Sequence, residues 1–169
     1  GLLVFARTVQ AERTLGEQFR QHTTKRRYLA VVQGDVAAQT ISSRLVRDRG
    51  DGRRGSTTNP HLGKSAVTHV RPLERIGAYT LVECQLETGR THQIRIHLAE
   101  SGHPLCGENV YNQPLHAEPQ PDPSGAPRLA LHAAQLGFQH PVTGEMLEFE
   151  MPLPADLTDF LHRLRREAK

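Results

Sequence analysis

Between Ser65 and Thr88 the chain reads SAVTHVRPLERI, Gly77, AYTLVECQLET. Two runs this rich in Val, Leu, Ile, Tyr and Thr, separated by one Gly turn, fold as an antiparallel strand pair. In the second run Val82, Cys84 and Leu86 alternate with Leu81, Glu83 and Gln85, so its two faces differ in polarity. A lone strand pair is at best marginally stable in water. It therefore demands further strands beside it or a helix on its face.

The rest of the chain offers both. RYLAVVQG, closing at Gly34, reads as a buried strand, and a short strand is expected around Ile41–Val46. RLALHAAQLGF and MLEFEM flank the turn HPVTGE and read as two more strands. Ala11, Leu15 and Phe19, at i, i+4 and i+8, predict a helix over residues 8–22 capped by Thr8. A second helix is expected after Gly89, with Arg90 and Thr91 in its first turn, Ile94 and Leu98 facing the core, and an end near Ser101-Gly102. Pro154 and Asp156 open a third, with Leu157, Phe160, Leu161 and Leu164 on one side. Burying that stripe stabilises by about 1.5–3 kcal/mol per side chain. RDRGDGRRGSTTNPHLG (residues 47–63) and the Pro-rich residues 112–127 read as loops, the first of them mobile. Strands with interspersed helices and mostly antiparallel neighbours make an α+β domain, with a mostly antiparallel or mixed sheet and a few flanking helices over residues 1–169. The opening GLLVFA has the character of a core strand, an odd place for a charged terminus. The chain is expected to be the C-terminal part of something longer.

Composition narrows the class. No apolar run approaches the roughly 20 residues of a membrane span. Two cysteines, Cys84 and Cys106, are too few for a disulfide framework; they read as small buried hydrophobes in a reducing cytoplasm. Lys plus Arg number 21 against 18 for Asp plus Glu, a net of only +3, but the placement is lopsided. Arg20, Lys25, Arg26 and Arg27 occur without an acid, and Arg44, Arg47, Arg49, Arg53 and Arg54 face only Asp48 and Asp51. Acids gather in GEMLEFEMPLPADLTD near the other end. That asymmetry fits either an oriented surface for a polyanion or a solvated face.

Several chemistries are excluded. His92 and His97 are five apart, about 140° around a helix, and cannot ligate one ion as an i, i+4 pair would. No C-x-x-C, H-E-x-x-H, G-x-S-x-G, Walker or dinucleotide-binding glycine pattern occurs. What remains is TGRTHQIRIHL, where Arg90, Thr91, His92, Gln93 and Arg95 crowd one helix start. Exposed N–H groups with Arg90 nearby suit a phosphate. Arg95, beside the apolar stripe, requires a carboxylate partner.

These residues carry a resemblance. LETGRTHQIRIHLAESGHPLCGENVYN closely resembles the C-terminal signature of the RluA-type pseudouridine synthases. KRRYLAVVQG is similar to their second motif and RLALHAAQLGFQHPVTGEMLEFEMPLP to their closing segment, in the family's order. The resemblance implies cofactor-free isomerisation of uridine in structured RNA, with ribosomal RNA the leading expectation and transfer RNA the second; no metal or membrane partner is expected, and the protein is expected to be a cytoplasmic monomer. It implies that Tyr28 packs against the base and helps remove the C5 proton, and that Arg95 pairs with a catalytic Asp. Leu129 or Leu131 would line the base pocket, with Arg90, Thr91, His92 and Gln93 at the substrate. Lys25, Arg26, Arg27, Arg44, Arg47, Arg49, Arg53, Arg54 and Lys64 would meet the RNA backbone. The family's Asp stands in His-Arg-Leu-Asp-x-x-Thr-Ser-Gly, five residues ahead of Gly1, so it is absent here. Asp35, Asp48, Asp51, Asp122, Asp156 and Asp159, in turns, loops or the last helix, do not resemble substitutes. The chain alone is expected to be inactive, with Arg95 exposed or unpaired; the alternative is a non-catalytic RNA-binding module.

Overall fold

The computed structural model describes residues 1–113 and 118–169. Seven strands form one antiparallel sheet: β1 (Lys25–Gln33), β2 (Gln39–Val46), β3 (Gly55–Thr57), β4 (Lys64–Ile76), β5 (Tyr79–Leu86), β6 (Leu131–Gln139) and β7 (Met146–Glu150). Their spatial order is β3-β2-β4-β5-β1-β6-β7. Three helices accompany them: α1 (Val9–Arg20), α2 (Gln93–Glu100) and α3 (Ala155–Glu167). The fold is α+β. Of the Pro-rich loop expected at 112–127, residues 114–117 lie outside the described residues; the others carry no helix or strand.

The expected hairpin is present. β4 pairs with β5 from Ile76↔Tyr79 to Thr68↔Leu86, with a bulge between Pro72 and Glu74. That bulge suits a proline, which has no N–H for a ladder. β1 lies inside the sheet, between β5 and β6, and is covered on both faces. Ala30 and Val32 pack with Val82 and Cys84 under Ile94 and Leu98 of α2. Val31 and Leu81 face the other way, under Leu157, Phe160, Leu161 and Leu164 of α3. All four predicted residues of the α3 stripe are buried. The Thr8 hydroxyl accepts from the Ala11 N–H at 3.1 Å and caps α1. Both cysteines are free and buried, and burial pushes each thiol up to about 12.

Three expectations need correction. GLLVFA is not a strand: Leu2 and Val4 pack beside Leu136 and Phe138, but Leu3 is 78% and Phe5 81% exposed. The Arg-rich loop contains β3, whose Gly55, Ser56 and Thr57 pair with Val46, Leu45 and Arg44. The turn before it is tied by the Asp48 carboxylate, which accepts from the N–H groups of Gly50 and Gly52. Finally, α2 starts at Gln93, so Arg90 and Thr91 precede it rather than forming its first turn.

α2 is attached to the sheet by polar bonds as well as apolar packing. His97 is buried, with Nδ1 2.9 Å from the Thr68 hydroxyl on β4 and Nε2 3.0 Å from the Ser43 hydroxyl on β2. Burial depresses its imidazole to about 4. Between that value and the ordinary one near 6.5 the unfolded chain binds a proton that the folded chain refuses, so stability falls as pH drops through this window. The full loss is about 3 kcal/mol at 1.36 per unit. Urea unfolding at pH 7, 5.5 and 4 should therefore show a steeper decline in the parent than in His97→Gln; parallel declines would mean that His97 titrates normally.

Candidate functional site

The turn ahead of α2 is built by Gln93. Its side chain is 2% exposed. Its Oε1 accepts from the Thr88 hydroxyl at 2.7 Å and the Arg90 N–H at 3.0 Å. Its Nε2 donates to Val67 O at 2.9 Å and the Thr68 hydroxyl at 3.0 Å. With both amide ends engaged in the protein, Gln93 holds the turn to β4; the expectation that it meets substrate is corrected. His92, next to it, is one of two described non-glycine residues at positive φ, at 58°. An L-residue there is strained by roughly 1–2 kcal/mol. Its Nδ1 lies 2.7 Å from the Tyr111 hydroxyl, and the two rings meet edge to face. Partial burial, then Arg95 and Arg54, push the imidazole below its usual range with Glu108 opposing, so His92 is neutral at pH 7.

Arg95 is neither exposed nor unpaired. Its Nε and Nη2 each donate to the Glu108 carboxylate at 2.7 Å, in bidentate geometry. Its guanidinium also lies over the Tyr111 ring, 5.0 Å from the centroid. The bonds to Glu108 raise the Arg95 pKa against the pull of burial. Burial alone would push the Glu108 carboxyl up, but Arg95 and the N–H groups of Val110 and Tyr111 outweigh it and hold the carboxyl below its usual range. Sequence reasoning missed Glu108 and Tyr111. Both lie in CGENVYN, inside the quoted signature, but spacing alone does not show that this loop folds back onto α2.

Tyr28 projects on the α2 side of the sheet. It is half-buried against the cluster of Ala30, Val32, Ile94 and Leu98, and Leu86, Leu129 and Leu131 are half-buried on the same cluster. Tyr28, Leu129 and Leu131 are thus brought together at one apolar margin. Burial raises the Tyr28 phenol above its usual range, with Arg26 opposing, so it is protonated at neutral pH. Opposite Tyr28 on β6 stands Ala133. Leu2 N donates to Ala133 O at 3.0 Å, and a Cβ on Gly1 would lie 2.6 Å from Ala133 N, so only glycine fits there.

The cations fall into two groups. Lys25 pairs with Glu148, and Arg27 with Glu83 and Glu150. Arg44 donates to the carbonyls of Leu62 and Gly63, Arg49 grips Asp51, and Arg53 donates to Gln113. These five, expected at the RNA backbone, are engaged in bonds inside the protein. Among the described residues, the side chains of Arg47, Arg54 and Lys64 make no such bonds; with Arg90 and Thr91 they line a cleft of about 500 Å³ beside the α2 turn. Arg26 is different again. Its guanidinium lies 5.8 Å from the Phe19 ring centroid, and its Nε and Nη2 are buried without a hydrogen-bond partner among the described residues. Burial lowers its pKa. The described residues contain no cluster of His, Cys, Asp and Glu able to hold a metal ion, and no helix long and apolar enough to cross a membrane.

Comparison with known proteins gives these features a context. The Bacillus subtilis protein named uncharacterized RNA pseudouridine synthase YlyB is 45% identical over 168 residues, which cover 98% of this chain and 52% of that protein. The ribosomal large subunit pseudouridine synthase D of Nitrosomonas europaea is 44% identical over 98% of this chain and 48% of its own length. That of Neisseria meningitidis serogroup A is 43% identical over 99% and 46%. The chain spans about half the length of the curated relatives it matches. The solved structure of human RNA pseudouridylate synthase domain containing 4 superposes with a TM-score of 0.75 over 94% of this chain and 69% of that one, at 24% identity. Human RNA pseudouridylate synthase domain containing 1 gives 0.70 over 95% and 73%, at 25% identity. A family profile described as RNA pseudouridylate synthase matches residues 1–100. The chain belongs to the RNA pseudouridylate synthase family and is of its RluA type.

Proposed function

We propose that the polypeptide carrying this chain, together with an Asp upstream of Gly1, isomerises uridine to pseudouridine in ribosomal RNA. The observation that carries the reading is the placement of the α2 turn and Tyr28 on one face of one sheet, in a chain of this family. The relatives named for the ribosomal large subunit favour ribosomal over transfer RNA. The glycosidic bond breaks, the freed uracil turns, and C5 rejoins the ribose, so the reaction itself needs no redox partner.

Each residue has a physical task in this reading. A uridine in a duplex must be flipped out, at a few kcal/mol, and the pocket must recover that cost. Tyr28 stacks on the base, worth about 1–3 kcal/mol, while Leu129 and Leu131 close the apolar margin. Protonated at rest, the Tyr28 phenol first packs on the base; it takes up the C5 proton as its own proton passes to N1, the uracil nitrogen freed when the glycosidic bond breaks, so the proton lost at C5 matches the one gained at N1. Arg95 holds the upstream carboxylate ionised and aimed at the ribose. Gly1 packs against Ala133, one strand from Tyr28, and five extended residues reach roughly 17 Å. An Asp five residues ahead is therefore tethered within range of the pocket. His92, neutral, and the neighbouring Thr91 and Arg90 face the flanking nucleotide, and Arg47, Arg54 and Lys64 contact phosphates along the cleft. The unit spanning residues 1–169 serves as the C-terminal part of the catalytic domain and works as a cytoplasmic monomer.

The test is pseudouridine formation on ribosomal RNA transcripts by the full-length polypeptide. Arg95→Ala should abolish turnover. Tyr28→Phe should retain RNA affinity and lose about 10²-fold or more in rate, the usual worth of a positioned acid or base. Full activity in Arg95→Ala, or no activity in the parent on any ribosomal transcript, would refute the reading.

Salt titration tests the cleft separately. On single-stranded RNA the slope of log K against log salt shrinks by roughly 0.7 for each phosphate contact removed. Arg47→Ala with Arg54→Ala should reduce it by two such steps, whereas Lys25→Ala and Arg44→Ala should leave it in place. Equal slopes for the double variant, Lys25→Ala and Arg44→Ala would remove the cleft from the RNA path.

A further inference from the structure

Glu108 has a side chain with 0% exposure, in a loop that follows Gly107 at φ 78°. Its carboxylate is fixed before any partner side chain arrives. Oε1 accepts from the N–H groups of Val110 at 2.8 Å and Tyr111 at 3.1 Å. Oε1 and Oε2 then take Nη2 and Nε of Arg95. Stability is a poor reason for such an arrangement, because a buried ion pair is commonly no better than well-packed apolar residues of the same volume. Orientation is a better one.

A guanidinium has five N–H donors in a rigid plane. Two of those on Arg95 are bound by Glu108, and the other three have no acceptor among the described residues, while the side chain remains 17% exposed. The Tyr111 ring covers one face of the plane, and the Tyr111 hydroxyl is bonded to His92. One edge and one face of Arg95 are therefore held, and the opposite edge is open. We propose that Glu108 is a positioning residue that, with Tyr111, locks Arg95 so that its open edge meets the oxyanion of the reaction centre. This rests on the reading of Arg95 given above.

A consequence follows from the charges. Glu108 already neutralises Arg95, so what Arg95 offers a second carboxylate is a pair of donors in fixed geometry rather than a net positive charge. A one-ångström displacement of such a group costs about 10²-fold in rate. Substrate binding, which uses other surfaces, need not change.

The experiment uses the full-length polypeptide and single-turnover kinetics at saturating ribosomal RNA transcript. Glu108→Gln should lower the rate constant about 10²-fold while the RNA dissociation constant changes less than twofold. Glu108→Asp, which restores the charge, should recover part of the rate. Glu108→Gln combined with Arg95→Ala should be no slower than Arg95→Ala alone. Should Glu108→Gln fail to fold, the parent gives the answer: the Arg95 Nε–H exchanges slowly with solvent if Glu108 holds it, and as fast as that of exposed Arg47 if it does not. Fast exchange, or parental turnover in Glu108→Gln while Arg95→Ala is inactive, overturns this proposal and leaves the function standing. Parental turnover in Arg95→Ala overturns the function itself.

Discussion

The pleat of β1 is the constraint from which the rest of the molecule follows. This strand lies between β5 and β6 and is covered on both faces, so its side chains must divide between two environments by period two. Val31 goes to α3; Ala30 and Val32 go to α2. Tyr28 follows Ala30 by the same period and emerges half-buried at the margin of the α2 cluster. A one-residue slip would carry it to the α3 face and exchange every buried residue for its neighbour. The position of the Tyr28 side chain is thus set by the same pleat that buries Ala30, Val31 and Val32.

Repeating patterns were legible in the sequence, and tertiary partners were not. The strands from Leu29 to Gln33 and from Tyr79 to Leu86, the Thr8 cap and the α3 stripe all declare themselves by local spacing, and all are present. β3 does not, since Gly55-Ser56-Thr57 has little strand character and is extended because β2 offers it a ladder. GLLVFA misled in the opposite sense: strong apolar character, yet only one backbone bond to β6 and two exposed large side chains. At α2 the Gln93 amide replaces the expected first helical turn by capping the Arg90 N–H from the side. Nothing in the local spacing distinguishes that from a helix that begins three residues earlier.

Charge counting was the least informative signal. The basic run of the N-terminal half suggested one polyanion-binding surface, but Lys25 and Arg27 meet Glu148 and Glu150 across the β1-β6-β7 edge. The acids near the C-terminus, which looked like a separate pole, are therefore in part the counter-charges of that run. Arg44 and Arg49 serve the hairpin that contains β3. Arg47, Arg54 and Lys64, whose side chains have no such bonds among the described residues, lie together along one cleft beside the α2 turn. A cluster next to the site is better placed to orient a strand than a diffuse basic half, because phosphate contacts fix register only where they are near the reading residues.

The expected vacancy at Arg95 and the observed Glu108 are compatible once donor geometry is considered. A carboxylate partner was required because a half-buried guanidinium is costly alone, and Glu108 meets that requirement within the chain. The charge of Arg95 is thus balanced by a carboxylate within residues 1–169. It also means that the left-handed turn at His92, the Tyr111 hydroxyl and the Arg95 plane are set by contacts on the described residues alone. Backbone strain of this kind persists only where the surroundings over-determine it. Here Gln93 holds the turn from one side and Tyr111 holds His92 and Arg95 from the other, so the Arg95 plane keeps one orientation.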